Sequence, residues 1–325
     1  MVNRMNLVKL RFYMLGTLAV IFAVSTLAIA AVLSVLESFS WYSLLFTVLL
    51  FNLLQWLMAP YMVDLMYRNR HADPVQYSQL YAVVDRLAAR SGIKTPDLMI
   101  SEIPIPNAFA YGSPLTGSKV AVTKGLLSQL QFEEVEAVIG HEFGHLRHRD
   151  VQVMMIVSLL PSIFYILARY AMYSSYYGSR SRDSSRGGGG LALIGGVSMI
   201  VYFVLILFSL GLSRLREYYA DQHSVDVVED GARKLSEGLA KITIGTYRMW
   251  RTTGPQSYSG FKTLFISDPD RAAQDAERLS SQGMSDDDLV REISSRRLTA
   301  FDQFTEVFST HPNIVKRINA LRSQT

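Results

Sequence analysis

Two histidines and a glutamate in the run His141-Glu142-Phe143-Gly144-His145 have the types and spacing needed to bind a metal ion and activate water. Residues four positions apart share one face of a helix, so both imidazoles can reach one zinc ion. Glu142 projects beside that metal, where it can accept a proton from water. The chain has no cysteine, which excludes thiolate sites and leaves His, Asp and Glu as the available ligands.

A catalytic zinc ion takes three protein ligands and leaves one position open for water. A metzincin-like third ligand would require glycine at position 148 and histidine at 151, but the chain has His148 and Val151. Glu217 is the alternative, because Glu217 and Asp221 lie four residues apart and share one face of a helical stretch. We therefore predict Glu217 as the third ligand. Asp221 is predicted to hold a ligand histidine by its second ring nitrogen.

The remaining histidines have separate interpretations. His311 precedes Pro312, which fixes a turn before the last helix, and a histidine held there can hydrogen-bond a developing oxyanion. A capping or buried histidine is the alternative at this position. His148 is either a spare ligand or an interfacial residue, and His223 is expected to point away from the site.

The elements that position these residues include several long apolar segments. Hydrophobic residues make up 49% of the 325 residues and charged residues only 18%, whereas soluble domains carry about 25% charged residues. Four apolar runs cover residues 13–36, 38–63, 151–168 and 187–213. The first two exceed the roughly 20 residues that cross a bilayer, and the last two could instead be buried core helices. The first run resembles a secretory signal, but its length and the second run favour a retained anchor.

Basic residues flank the apolar runs in a pattern that predicts orientation. If the chain crosses the membrane four times, one face carries Arg4, Lys9, Arg11, Arg68, Arg70, Arg147, Arg149, Arg214 and Arg216. We expect that face to be cytoplasmic, although the opposing loop carries Arg180, Arg182 and Arg186. The net charge of +4 is therefore assigned to membrane flanks and not to nucleic-acid binding.

The predicted fold class is mainly α with a small β-sheet, in an integral membrane protein with about four transmembrane helices and a cytoplasmic zinc protease domain. Predicted strands cover residues 98–101, 108–111 and 120–123. Predicted helices outside the membrane cover residues 75–91, 132–150, 229–249, 285–295 and 313–322. The predicted domains are a membrane hairpin (1–66), the first part of the catalytic domain (67–150), a second hairpin (151–213) and the second catalytic part (214–325).

Four short motifs, in this order and with these membrane runs around them, resemble the HtpX family of membrane metallopeptidases. They are Asn107-Ala108-Phe109-Ala110, His141-Glu142-x-x-His145, Glu217-x-x-Ala220-Asp221, and Ser309-Thr310-His311-Pro312 with Lys316-Arg317. The resemblance covers nearly the whole chain. It departs from the family pattern at Tyr111 and Asn313, where a smaller residue and a proline are expected.

The resemblance implies a gluzincin site with one Zn²⁺ per subunit, in the cell membrane, and a role in the quality control of damaged or misassembled membrane proteins. It also implies that the segment from Asn107 to Ala110 is a strand lining the cleft, to which a substrate backbone could pair. Expected partners are unfolded or membrane-protein substrates and the lipid bilayer, with no nucleic acid. Two alternatives remain: a CAAX-type prenyl-peptide protease, and a non-catalytic membrane scaffold.

Overall fold

A computed structural model describes residues 41–178, 188–253 and 285–324 of the chain. The first predicted apolar run, residues 13–36, lies outside the described residues together with Arg4, Lys9 and Arg11. The loop arginines at 180, 182 and 186 lie outside them as well.

The described chain is mostly helical and contains one small sheet, which confirms the predicted fold class at that level. The helices are α1 (Trp41–Tyr67), α2 (Ser78–Ser91), α3 (Lys124–Gln129), α4 (Phe132–Arg147), α5 (Asp150–Gly178), α6 (Gly188–Val227), α7 (Gly231–Thr253), α8 (Asp286–Ser295), α9 (Ala300–Val307) and α10 (Ile314–Arg322). The strands are β1 (Asn69–His71), β2 (Asp97–Ser101), β3 (Ala108–Ser113) and β4 (Gly117–Thr123).

The sheet is mixed and has the strand order β1-β2-β4-β3. β2 and β4 pair in parallel, with Leu98 opposite Val120, while the two outer pairs are antiparallel. β3 is therefore an edge strand of the described sheet. Sequence patterns predicted three of the strands but missed β1, because Asn-Arg-His contains no β-branched or aromatic residue.

A hydrophobic core forms between the sheet and the helices on one side of it. Val122 of β4, Phe143 of α4, Leu235 of α7 and Ile318 of α10 are all fully buried in this one cluster. Alternate residues of a strand face opposite sides of a sheet, so only half of each strand contributes to this core. The core thereby joins α4, which carries the His-Glu-x-x-His motif, to the C-terminal helices of the chain.

The predicted end of the helix that carries the motif is wrong, and the error affects the site. The helix predicted over residues 132–150 ends at Arg147, because the backbone turns at Arg149, which has φ of +55°. Asp150 instead begins α5. The fourth apolar run and the Glu217 stretch form one continuous helix, α6, so the ligand candidate lies on an extension of an apolar helix.

The chain divides into two compact units. One contains Leu57–Val151 and Ser213–Thr325, and it includes the whole sheet and all the predicted site residues. The other contains Gln152–Leu212 and the described part of Met5–Trp56. Its core includes Phe164 and Leu205, from α5 and α6.

Two of the described helices are long and apolar enough to cross a membrane, over Asp150–Tyr176 and Gly190–Val227. Within their most apolar windows only 35% and 22% of the residues are buried. A core helix of a soluble protein would be mostly buried, and these two windows are not. From residue 41 onward, the second predicted run forms part of the uninterrupted helix α1.

Candidate metal centre

α4 carries the motif, and its ends match the polarity of its sequence. Gln131 and Glu134 form a capping box, in which the Gln131 backbone N–H donates to the Glu134 carboxylate over 2.7 Å. Acidic residues occupy the first turn, while His145 and Arg147 occupy the last, in agreement with the helix dipole. The helix therefore begins in solvent and directs His141 and Glu142 into the buried interior.

Two glycines let the backbone of α4 contact the C-terminal part of α6. A Cβ atom at Gly144 would lie 2.7 Å from the Cα of Ala220, closer than real Cβ contacts. One turn earlier, a Cβ at Gly140 would lie 3.1 Å from the Ser224 hydroxyl. Ser224 donates to the carbonyl oxygen of Ala137 over 2.6 Å, which fixes the two helices at this distance. Glu217 is thereby brought to the face of α4 that carries the histidines.

The three predicted ligands converge on one point. The Nε2 atoms of His141 and His145 lie 3.2 Å apart. Glu217 carboxylate oxygens lie 3.6 Å from Nε2 of His141 and 3.5 Å from Nε2 of His145. Ligand atoms about 2.1 Å from a tetrahedral zinc ion are separated by roughly 3.4 Å. The separations between these three side chains therefore fit a zinc ion, and the set could hold one.

Each ligand histidine has a carboxylate at its second ring nitrogen. Nδ1 of His141 lies 2.8 Å from Oδ1 of Asp221, where the sequence analysis predicted a contact of this kind. Nδ1 of His145 lies 2.5 Å from Oδ2 of Asp150, a contact that was not predicted. Such carboxylates orient the ring, fix which nitrogen carries the proton and raise the basicity of the ligand nitrogen.

Two buried arginines contact these carboxylates in turn. Arg317 donates from Nε and Nη2 to the two oxygens of Asp221 over 2.9 and 2.6 Å, and its Nη1 lies 3.0 Å from Glu217. Burial alone would lower the pKa of Arg317, but Asp221 and Glu217 outweigh it and raise that pKa. Arg216 contacts Asp150 over 2.6 Å. Burial lowers the pKa of Arg216 to about 9, which leaves its guanidinium charged at neutral pH, so both arginines hold the carboxylates in place.

Glu142, the predicted general base, is buried beside the ligand set with 4% of its surface exposed. Its Oε2 accepts a hydrogen bond of 2.8 Å from the backbone N–H of Ala110. Burial raises the pKa of the Glu142 carboxyl, while His145 and His141 act in the opposite direction. A carboxylate with a raised pKa is a stronger base, which favours its acceptance of a proton.

The predicted substrate segment forms the start of the edge strand β3. Ala110 faces Glu142, as its hydrogen bond shows. Phe109 points the other way, into a second buried cluster, where its ring centroid lies 4.5 Å from that of Tyr67. Asn107 is fully buried just before the strand, and its N–H donates to the hydroxyl of Thr123 over 2.9 Å. Of this segment, Ala110 is therefore the residue whose contact with the site is direct.

Of the histidines discussed above, His311 lies at the site, while His148 and His223 make contacts elsewhere. Nδ1 of His311 lies 3.2 Å from Oε2 of Glu217, so this residue joins the site from the turn after α9. His223 contacts the hydroxyl of Ser91 over 2.8 Å. The ring of His148 packs edge-on against Tyr219, with 4.3 Å between centroids.

The two departures from the family pattern have structural explanations. The hydroxyl of Tyr111 donates to Asp64 and accepts a hydrogen bond of 3.0 Å from Asn69, which joins β3 to the end of α1. Asn313 is the N-cap of α10, and its side chain accepts a hydrogen bond of 2.9 Å from the N–H of Val315.

The sequence analysis gave no role in the site to four residues that contribute to it: Asp150, Arg216, Arg317 and Gly144. Asp150 is five residues from His145, a spacing that brings side chains together only because the backbone turns at Arg149. Gly144 carried a signal, since a glycine inside a helix costs stability and therefore indicates a packing requirement.

Comparison with known protein families matches residues 74–325 to peptidase family M48. Three similar proteins bear the name Protease HtpX homolog. The protein from Thermoplasma acidophilum is 36% identical over 84% of this chain and 82% of its own. The protein from Thermoplasma volcanium is 34% identical over 98% of this chain and 96% of its own. The protein from Archaeoglobus fulgidus is 37% identical over 87% of this chain and 77% of its own.

Among solved structures, the crystal structure of S. mikatae Ste24p matches with a TM-score of 0.54. The match covers 97% of this chain and 67% of that chain, at 18% sequence identity. At this level of identity the two proteins are similar in fold alone.

Replacing Gly144 with alanine is expected to weaken metal binding by separating α4 from α6. The added methyl group has no space at Ala220, and overpacking of this kind costs about 1–3 kcal/mol. Zinc content and thermal stability of the purified protein should both decrease. Gly196→Ala is the matched control, since a Cβ at that helical glycine meets no atom within 4 Å. Equal zinc content in both variants would show that the close contact does not position Glu217.

Replacing Asp150 with asparagine is expected to lower the zinc affinity by about 10–100-fold, the usual effect of removing a carboxylate behind a ligand histidine. The affinity would be measured by competition with a chelator, and circular dichroism would establish that the variant is folded. Asp287→Asn provides a control, because within the described residues the ion pair of this aspartate is with the exposed Arg291, away from the site. An unchanged affinity in Asp150→Asn would refute the role assigned to the Asp150 contact.

Proposed function

The chain belongs to peptidase family M48, which confirms the resemblance found in its motifs, and we propose that it is a membrane-embedded zinc endopeptidase that degrades damaged or misassembled membrane proteins. The observation that carries this proposal is the burial of Glu142 beside three side chains whose nitrogen and oxygen atoms converge at zinc-binding separations. A scaffold protein has no need for a buried carboxylate at that place, since burying it unpaired is costly.

We propose that His141, His145 and Glu217 hold the zinc ion. When bound, zinc supplies Lewis-acid polarisation of a peptide carbonyl and of water. The carboxylates of Asp221 and Asp150 keep the two histidine rings in the orientation that directs Nε2 toward the centre. Arg317 holds Glu217 and Asp221 together, so that one ligand and one orienting group move as a unit.

Glu142 acts as general base and then as general acid in this proposal. It accepts a proton from the water that adds to the carbonyl carbon of the scissile bond. As the carbon–nitrogen bond breaks, the same carboxyl gives the proton to the leaving amine. The burial that raises the pKa of Glu142 assists the first step, because it makes the carboxylate a stronger base toward water.

Substrate would enter from the side of His145 and His311. The side chain of His145 is 20% exposed and that of His311 is 15% exposed, whereas that of His141 is 1% exposed. An extended substrate would add to the edge strand β3 at Asn107 to Ala110 and place its scissile carbonyl beside Glu142. His311, whose Nδ1 lies 3.2 Å from Glu217, would donate a hydrogen bond to the oxyanion that develops there.

The sequence pattern supports both a membrane location and membrane-protein substrates. We propose four transmembrane helices in the cell membrane, with the site on the cytoplasmic face that Arg68, Arg70, Arg147 and Arg214 flank. Asp150 begins one apolar helix and Glu217 lies on the polar extension of another, so polypeptides near the bilayer surface are the accessible substrates. Unfolded or misassembled membrane proteins are substrates that a site at this position could reach.

The CAAX-type prenyl-peptide protease is the second candidate function, because the Ste24p structure has a similar fold. The names of the relatives support the HtpX assignment better, since those proteins are 31–37% identical to the chain against 18% for Ste24p. The two candidates share the chemistry proposed for Glu142 and differ only in substrate.

Glu142→Gln is expected to retain zinc and lose proteolysis. Glutamine preserves the shape of the side chain but cannot accept the proton, and removal of an acid–base group costs about 10²–10⁴-fold in rate. Cleavage of casein by the detergent-purified protein with added zinc would be measured beside this variant and a chelator control. Full activity in the variant would overturn the assignment of Glu142. Cleavage of a prenylated peptide but not of casein would favour the second candidate.

Orientation can be tested through single cysteines, since the natural chain has none. We expect a membrane-impermeant maleimide to label Ser181→Cys, in the loop between the third and fourth runs, on intact cells. Lys94→Cys, in the catalytic part, should be labelled only after the cells are lysed. Labelling of Lys94→Cys on intact cells would place the site on the outer face.

A further inference from the structure

The short helix α9 exposes its apolar side and buries its acidic side, the reverse of a helix on the surface of a water-soluble protein. Three phenylalanines share one face and are exposed: Phe301 by 63%, Phe304 by 62% and Phe308 by 58%. The acidic residues Asp302 and Glu306 point into the protein, and each is only 7% exposed. A helix at a water-exposed surface normally buries its apolar stripe and exposes its charges.

The buried acidic residues fix this orientation. Asp302 and Thr299 form a capping box, in which the Thr299 N–H donates to the Asp302 carboxylate over 2.8 Å. Glu306 accepts a hydrogen bond of 3.1 Å from the N–H of Asn313 and contacts Lys316. The Thr299–Asp302 contact lies within the helix and would turn with it. Rotating the helix to bury the phenylalanines would break the contacts of Glu306 with Asn313 and Lys316, so these contacts hold the aromatic face outward.

The position of α9 is fixed by Arg214, the residue that directly follows the fourth apolar run at Ser213. Its Nη1 donates to the carbonyl oxygens of Glu306, Val307 and Ser309 over 2.8, 3.0 and 2.7 Å. The C-terminal end of α9 is therefore bound to the place where the chain leaves its apolar segment.

We propose that α9 lies in the surface of the lipid bilayer, with Phe301, Phe304 and Phe308 inserted at the boundary between headgroups and acyl chains. This inference rests on the proposed membrane placement of the fourth run. Aromatic side chains favour that boundary, and helices that lie in it bury an apolar face about 5–10 Å deep. Because Asp302 and Glu306 point inward, neither carboxylate faces the anionic lipid. The exposed Arg297, which lies just before the helix, adds a positive charge that anionic lipid attracts.

Lipid contact at α9 would set the height of the active site above the bilayer. Phe308 is three residues from His311, whose Nδ1 lies 3.2 Å from Glu217. The chain between them includes Ser309, whose carbonyl Arg214 binds. Insertion of the aromatic face would therefore place His311 next to the membrane surface, where segments emerging from the bilayer can reach it.

The test uses single cysteines at positions 301, 304 and 308, each carrying a nitroxide spin label, in proteoliposomes of phosphatidylethanolamine and phosphatidylglycerol. Accessibility to oxygen, which concentrates in lipid, is compared with accessibility to a water-soluble nickel complex. Ile200→Cys on the exposed face of the fourth run is the lipid control, and Gln303→Cys on α9 itself is the water control. Retained casein cleavage by each labelled protein shows that it is folded.

We expect oxygen accessibility to exceed nickel accessibility at the three phenylalanine positions and at Ile200, and the reverse at Gln303. Water-like accessibility at the phenylalanine positions, with a lipid-like Ile200, would overturn the inference and leave the proposed membrane placement intact. Low accessibility to both reagents would show that protein covers the face, either this chain or a second copy, and would also overturn it. A water-like Ile200 would instead contradict the proposed membrane placement.

Discussion

At Gly144 the backbone of α4 comes so close to α6 that even one methyl group would lie 2.7 Å from the Cα of Ala220. The metal centre depends on this contact, because α4 carries two of the ligand candidates and α6 carries the third. Side-chain packing of ordinary size separates helix axes by about 8–10 Å, and larger residues at these positions would move Glu217 away from the histidines. The glycine at Gly140 and the hydroxyl of Ser224 extend the same close contact by one turn.

The charges buried around this contact explain why a divalent cation suits the site. Four carboxylates are buried here, those of Glu142, Asp150, Glu217 and Asp221, against two guanidinium groups, those of Arg216 and Arg317. With all six ionised and the histidines neutral, two negative charges remain. Uncompensated buried charge is strongly unfavourable, and a divalent cation between the histidines would balance it.

Sequence patterns could predict the parts of this arrangement that depend on local spacing. His141 with His145, and Glu217 with Asp221, are pairs four residues apart, and a helix places such pairs together without help from the rest of the fold. Asp150 and Arg317 could not be found in this way. Asp150 reaches His145 only because Arg149 adopts a left-handed conformation, and Arg317 reaches Asp221 across 96 residues of chain. The small sheet was predicted from its β-branched strands, whereas β1 depends on pairing with β2 rather than on its own sequence.

The continuity of α6 links the apolar segment of the chain to the chemistry of the site. Glu217 follows Ser213 by four residues, which is about 6 Å along a helix that rises 1.5 Å per residue. Asp150, which contacts His145, is the first residue of the other apolar helix, α5. A ligand and an orienting group are therefore carried by the same two helices that have the composition of membrane spans. Glu217 therefore reaches the histidines from the end of an apolar helix rather than from a separate loop.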